Sequence, residues 1–202
     1  MRRYLVLPLC VFALLQPCAA GDDFGVWNYI SMRKQLNAKW EMSMVSEART
    51  IEWAPNHFYM RPAVAFNASD NFQFKMQTDF ACLKSGFNLR YLPEVTYRVK
   101  FGGFNFGLRE RLMVTWVPSD DSYSAQFRTK ATLSYTIPGT HVAPLVAVEP
   151  FYWDSLSRVR YHAGIKFRLG RQCSVTLQYM RQDYYTVHND ENIIWLMYSI
   201  DL

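Results

Sequence analysis

The stretch Ser157 to Gly170, SRVRYHAGIKFRLG, sorts its side chains with a period of two residues. Val159, Tyr161, Ala163, Ile165, Phe167 and Leu169 fall on one side; Arg158, Arg160, His162, Gly164, Lys166 and Arg168 fall on the other. That period belongs to a β-strand, because an α-helix would spread both sets around its circumference. A strand this long, apolar on one face and cationic on the other, needs two different surroundings. Either a hydrophobic core backs a sheet that binds a polyanion, or the strand is part of a membrane barrel with hydrocarbon outside and water inside.

The same division recurs along the chain. Phe72, Phe74, Met76, Thr78 and Phe80 alternate with Gln73, Lys75, Gln77 and Asp79, and Tyr123, Ala125, Phe127, Ala131, Leu133 and Tyr135 alternate with Ser124, Gln126, Arg128, Lys130, Thr132 and Ser134. About eleven such segments of some ten residues follow one another without a helical period, a repeat or a linker. Soluble sandwiches also use many short strands. Here, however, polar faces carry Arg or Lys on nearly every strand while apolar faces carry aromatics or Met, and a membrane barrel accounts for both at once. The expected fold is therefore all-β, an antiparallel up-and-down transmembrane β-barrel of about 10–12 strands.

The connections divide into two sets. Tight turns at Asn37, Asp70, Gly102, Pro138 and Gly170 fall at one end, and longer breaks near Pro55, Ser85, Pro118, Asp154 and Tyr185 fall at the other. Ala81 to Pro93 reads as a long connection. An odd number of strands is unusual for single-chain bacterial barrels, so either the first segment, Gly25 to Lys34, lies in the lumen or one strand is miscounted. Glu110 interrupts the apolar side of Phe104 to Val117, and a bulge or a pairing near the rim would accommodate it. Phe72, Phe80, Trp116, Tyr123, Tyr135 and Tyr152 lie near strand ends, where an interfacial aromatic girdle belongs.

Residues 1–20, MRRYLVLPLCVFALLQPCAA, have the basic start, apolar middle and small-residue end of a secretory signal peptide. Cleavage after Ala20 leaves one domain, residues 21–202, destined for the bacterial outer membrane. It also removes Arg2 and Arg3, leaving 20 of the 22 Lys and Arg against 17 Asp and Glu, a net +3. The remainder contains no apolar run near the length of a membrane helix, although aromatics make up 16% of the sequence. Of the four cysteines, Cys82 and Cys173 remain. In an oxidising compartment they are free to pair or to stay as independent thiols.

The order of several short motifs resembles a known family. The opening Trp27, Leu36, Asn37, Lys39, Trp40 and Ser46 to Arg49 is followed by Leu108 to Arg111, then Glu149 and Phe151, then Arg160, Tyr161 and Gly164, then Tyr179 to Asp183. Together they resemble the uncharacterised bacterial outer-membrane β-barrel family labelled domain of unknown function twenty-four-ninety, over essentially the whole mature chain. The resemblance implies an outer-membrane barrel without an established activity.

The residues expected to form a lumen charge network are Glu47, Arg49, Arg109, Arg111, Arg128, Lys130, Glu149, Arg158, Arg160, Lys166 and Arg168, accompanied inside by Glu41, Arg61, Lys75, Arg98 and Lys100. In a barrel of this size long side chains cross the lumen. They would build either an ion-paired plug or a cation-lined conduit for small anionic solutes. Glu149 is the first expected partner for Arg158 or Arg160. An enzyme acting on lipid or lipopolysaccharide is the alternative function. Yet none of His57, His141, His162 and His188 has a serine at a suggestive spacing, so no catalytic residue is assigned. Neither a metal nor a cofactor is expected, since no zinc spacing or phosphate loop occurs. The expected partners are membrane lipid, lipopolysaccharide and the barrel-assembly machinery. A nucleic acid does not suit an exported wall, and the oligomeric state is left open.

Overall fold

A computed structural model describes residues 23–52, 54–185 and 190–202. The expected leader over residues 1–20 and His188 lie outside the described residues. Twelve strands succeed one another: β1 (Asp23–Gln35), β2 (Trp40–Ile51), β3 (Ala54–Asn67), β4 (Phe72–Leu83), β5 (Gly86–Tyr91), β6 (Glu94–Phe101), β7 (Phe104–Val117), β8 (Ser122–Tyr135), β9 (Val142–Tyr152), β10 (Leu156–Leu169), β11 (Cys173–Tyr184) and β12 (Glu191–Asp201). They form one closed, all-β barrel.

Strands β5 and β6 occupy a single place in the wall. Both pair with β4 on one side and β7 on the other, in unbroken register. Pro93 causes the joint between them: it has no N–H to donate to a ladder, although its carbonyl still accepts from Leu112 N at 3.1 Å. The twelve strands therefore fill eleven positions. The long connection expected from Ala81 to Pro93 is mostly wall, because β4 continues to Leu83 and the chain turns back within two residues.

Eleven positions explain the seam. In a meander with an odd number of strands the first and last run the same way, so closure requires a parallel pair. The structure makes that pair between β1 and β12, from Asp23↔Glu191 to Arg33↔Asp201, whereas β1 and β2 are antiparallel. Both ways of restoring an even count fail: residues 23–35 form a wall strand, and the odd number is real.

The faces are inverted relative to a soluble β-protein. Met76 is 60% exposed on the outside, while Glu149 is 2% exposed inside. The buried apolar cluster is small, comprising Trp27, Met180 and Ile193 with Trp195 against it. A sandwich core is thus ruled out for these strands.

One lumen position tolerates no side chain. A Cβ on Gly164 would sit 2.4 Å from the backbone oxygen of Leu177 and 2.5 Å from Gln178 Cγ. Gly164→Ala is expected to cost about 1–3 kcal/mol through overpacking. Gly107→Ala, whose nearest neighbour is the Tyr97 oxygen at 4.0 Å, serves as the comparison. Equal urea midpoints for the two variants would refute the close approach.

Candidate functional site

Because side chains alternate across each strand, register determines which polar residues enter the barrel. On β2 and β3 these include Glu47, Arg49, Tyr59 and Arg61; on β4, Lys75 and Asp79; on β7 to β10, Arg109, Arg111, Arg128, Lys130, Glu149 and Arg160. In the central part of the lumen four carboxylates face this cationic excess, and each is shared between two arginines.

Glu47 meets Arg49 Nε at 2.8 Å and Arg61 Nη2 at 3.8 Å. Arg61 also donates to Asp79 at 3.0 Å, and Arg90 approaches Asp79 at 3.7 Å. On the other side, Arg111 donates to Glu94, and Arg109 lies 3.8 Å from Glu94 while donating to Glu149 at 2.5 Å. Arg160 Nη1 and His162 Nε2 each lie 3.8 Å from Glu149. Two alternating chains result, one running Arg90, Asp79, Arg61, Glu47, Arg49 and the other Arg111, Glu94, Arg109, Glu149, Arg160. Sharing each acid between two guanidinium groups is what allows these charges to stay buried, since an unpaired charge there would be costly.

Aromatic faces hold the same arginines in place. Arg49 stacks 3.7 Å from the centre of the Trp27 ring, while Arg158 and Arg160 lie 4.3 and 4.5 Å from that of Phe151. Packed and paired in this way, these side chains make up the central layer of the lumen, the plug.

A cavity lies on each side of the plug, and the two share no lining residue. The larger, about 610 Å³, opens toward the tight-turn end, past Lys100, Thr136, Thr140 and His141. Its lining carries eight Lys and Arg, among them Lys75, Arg98, Lys100 and Lys130, against one acid, Glu94. Serine and threonine hydroxyls supply most of its remaining polar groups. The smaller cavity, about 250 Å³, lies beyond Arg49, Arg128, Arg158 and Arg160.

The structure brings most of the expected network together. Glu47 and Arg49 pair directly, as do Arg109 and Glu149. Of the two partners considered for Glu149, Arg160 reaches it at 3.8 Å, whereas Arg158 turns to Gln126 Oε1 at 3.3 Å and Tyr184 Oη at 3.4 Å. Among the described residues no ion pair involves Arg128 or Lys130. Lys166 and Arg168 belong to the exposed mouth of the large cavity and not to the plug. Asp79, on the polar face of its strand, and Arg90 and Glu94 join the network without being among the residues expected in it. The alternation of Glu94 with Thr96, Arg98 and Lys100 would have found it, but Arg90 fell in the supposed connection.

Cys82 and Cys173 are unbonded and exposed. Among the described residues no group of three or more His, Cys, Asp or Glu is arranged to hold a metal ion. His57 is stacked on Tyr59, with ring centres 5.7 Å apart.

Glu110 is neither bulged nor at a rim. The ladders of β7 with β6 and β8 run past it without a shift, and it lies near the middle of its strand. It points outward and accepts a hydrogen bond from Thr129 Oγ1 at 2.7 Å. Beside it an apolar groove of about 450 Å³ crosses the outer face at Pro93, bounded by Met76, Leu112 and Phe127.

Comparison with known proteins points to one family and one fold. A family model described as "Protein of unknown function (DUF2490)" matches residues 24–192. No curated protein matches the chain. Among solved structures, one described as "NanC porin structure in rhombohedral crystal form" is similar in fold, with a TM-score of 0.57 over 89% of this chain and 99% of that one, at 14% sequence identity.

Proposed function

The chain belongs to the DUF2490 family of proteins of unknown function, and from that premise we propose that it is an outer-membrane β-barrel that admits small anionic solutes into a cation-lined lumen. In this reading residues 1–20 direct export and are removed, and residues 21–202 fold as one domain. The barrel-assembly machinery inserts that domain among lipid and lipopolysaccharide. The porin-like fold and the apolar outer face support the membrane setting.

The observation that carries the solute is the imbalance of eight Lys and Arg against one acid around the large cavity. Cationic walls of low dielectric concentrate anions and repel cations. The ion-paired plug narrows the path beyond that cavity, so the expected conductance is small and anion-biased.

Purified protein in planar bilayers under a salt gradient tests this. The reversal potential should favour the anion, and replacing Arg98 and Lys100 together with Glu should shift it severalfold toward the cation. A silent bilayer, or a preference that ignores the double replacement, would sink the solute reading. The membrane setting has its own check: the protein should fractionate with outer membranes and migrate differently in gels with and without heating, whereas recovery as a soluble periplasmic protein would refute it.

A further inference from the structure

Lys130 is a lumen cation of the plug region without an ion pair among the described residues. It lines the inner end of the large cavity. The ladder between β8 and β9 skips there, from Arg128↔Phe151 to Ala131↔Val148, where Pro150 has no N–H to offer. Its Nζ lies 5.4 Å from the ring centre of Trp195 on β12.

Trp195 in turn lies 5.8 Å, ring centre to ring centre, from His162. In the β11–β12 register it stands opposite Gln178. Four polar atoms of this group, Trp195 Nε1, His162 Nδ1 and Nε2, and Gln178 Oε1, are buried and have no hydrogen-bond partner among the described residues. His162 and Gln178 are 2% and 4% exposed. An unmet buried polar atom costs about 1–3 kcal/mol, and such atoms are rare enough that each calls for a physical reason. Several gathered around one indole call for a partner from outside the chain.

The chemistry selects the class. Lys130 brings an ammonium, Trp195 an indole N–H, and His162 a ring N–H whichever nitrogen carries it. The neighbouring acid, Glu149, lies 2.5 Å from Arg109 and 3.8 Å from both Arg160 and His162, so one carboxylate is outnumbered by the cations and N–H donors around it. Gln178 Oε1 can accept from a water that accompanies a small ion. Glu149, His162 and Trp195 line neither cavity, so this group lies past the inner end of the large one, where Lys130 stands.

We propose that Lys130, His162 and Trp195 form a binding step for a small inorganic anion within the plug, fed from the large cavity through Lys130. This rests on the reading of that cavity as an entry for anions. It adds a division by size: halide-like ions reach the plug, while larger organic anions stop before it.

Crystals of the full-length protein soaked in iodide provide the test. An anomalous peak is expected within hydrogen-bonding reach of Lys130 Nζ and Trp195 Nε1. Lys130→Met should abolish that peak while leaving iodide bound elsewhere in the large cavity, and Trp195→Phe should weaken it. Both variants should keep their heat-modifiable migration, because neither removes a partner from an ion pair. No peak at this position, or one indifferent to Lys130→Met, would overturn the site. A Lys130-dependent peak in a protein that conducts nothing would uphold the site and overturn the pore reading. Anion-biased conductance without the peak would do the reverse.

Discussion

Glu149→Ala is expected to destabilise the barrel by about 3–5 kcal/mol, the range for breaking a buried ion pair by removing one partner. The lost carboxylate leaves Arg109 with only its 3.8 Å approach to Glu94, and leaves Arg160 and His162 facing a lumen already richer in cations than in acids. Arg160 retains its hydrogen bond to Gln182, which places the expected cost nearer the lower bound. Urea unfolding from lipid vesicles measures the change. The same variant should conduct more than the parent protein, since Arg160 is cut off from the second ion-pair chain. A variant as stable as the parent, with unchanged conductance, would mean that the charges pack beside one another without holding the plug together.

Glu110→Arg is the second large effect, and it probes the opposite face. If the outer wall meets hydrocarbon, an Arg near mid-wall should cost about 2–4 kcal/mol, and Glu110→Leu should be more stable than the parent. The outward position follows from unbroken ladders on both sides of β7, and the carboxylate is stabilised chiefly by the Thr129 hydroxyl at 2.7 Å. Vesicle insertion and urea midpoints of the two variants give the measurement. Should Glu110→Arg insert and unfold like the parent, that face is covered by water or protein and the lipid-facing reading of this patch fails.

Those two residues mark the limits of what the chain discloses in one dimension. Glu149 could be placed inside from its neighbours Val148 and Pro150, but its closest partner, Arg109, is 40 residues away. Nothing in the spacing connects them; only the order of strands around the wall does. Glu110 was read correctly as being on the apolar side. A local irregularity was then expected to explain it, because a carboxylate at that place breaks the pattern. The structure retains the pattern and supplies a hydroxyl from the adjacent strand. Arg90 was lost for a different reason: Pro93 and the short turn at Lys84–Ser85 suggested a loop, yet a proline whose carbonyl still bonds to the next strand can stand within a wall.

The period of two was legible throughout. In Tyr123 to Tyr135 and in Ser157 to Gly170 each residue's side of the wall could be assigned from sequence, because alternation is a local property of an extended backbone. From that alone came the class of fold, the apolar exterior and the cationic interior. Three features were settled by the tertiary structure: the parallel seam of β1 with β12, the shared position of β5 and β6, and the ion-pair partners across the lumen. Each depends on which strands lie next to one another and in what register, a choice made by hydrogen bonds between segments far apart in the chain. Ser157 to Gly170 thus declared its own two faces, while the register of β9 with β10 set Arg160 opposite Glu149 and the strands around the lumen gave Arg158 to Gln126 and Tyr184.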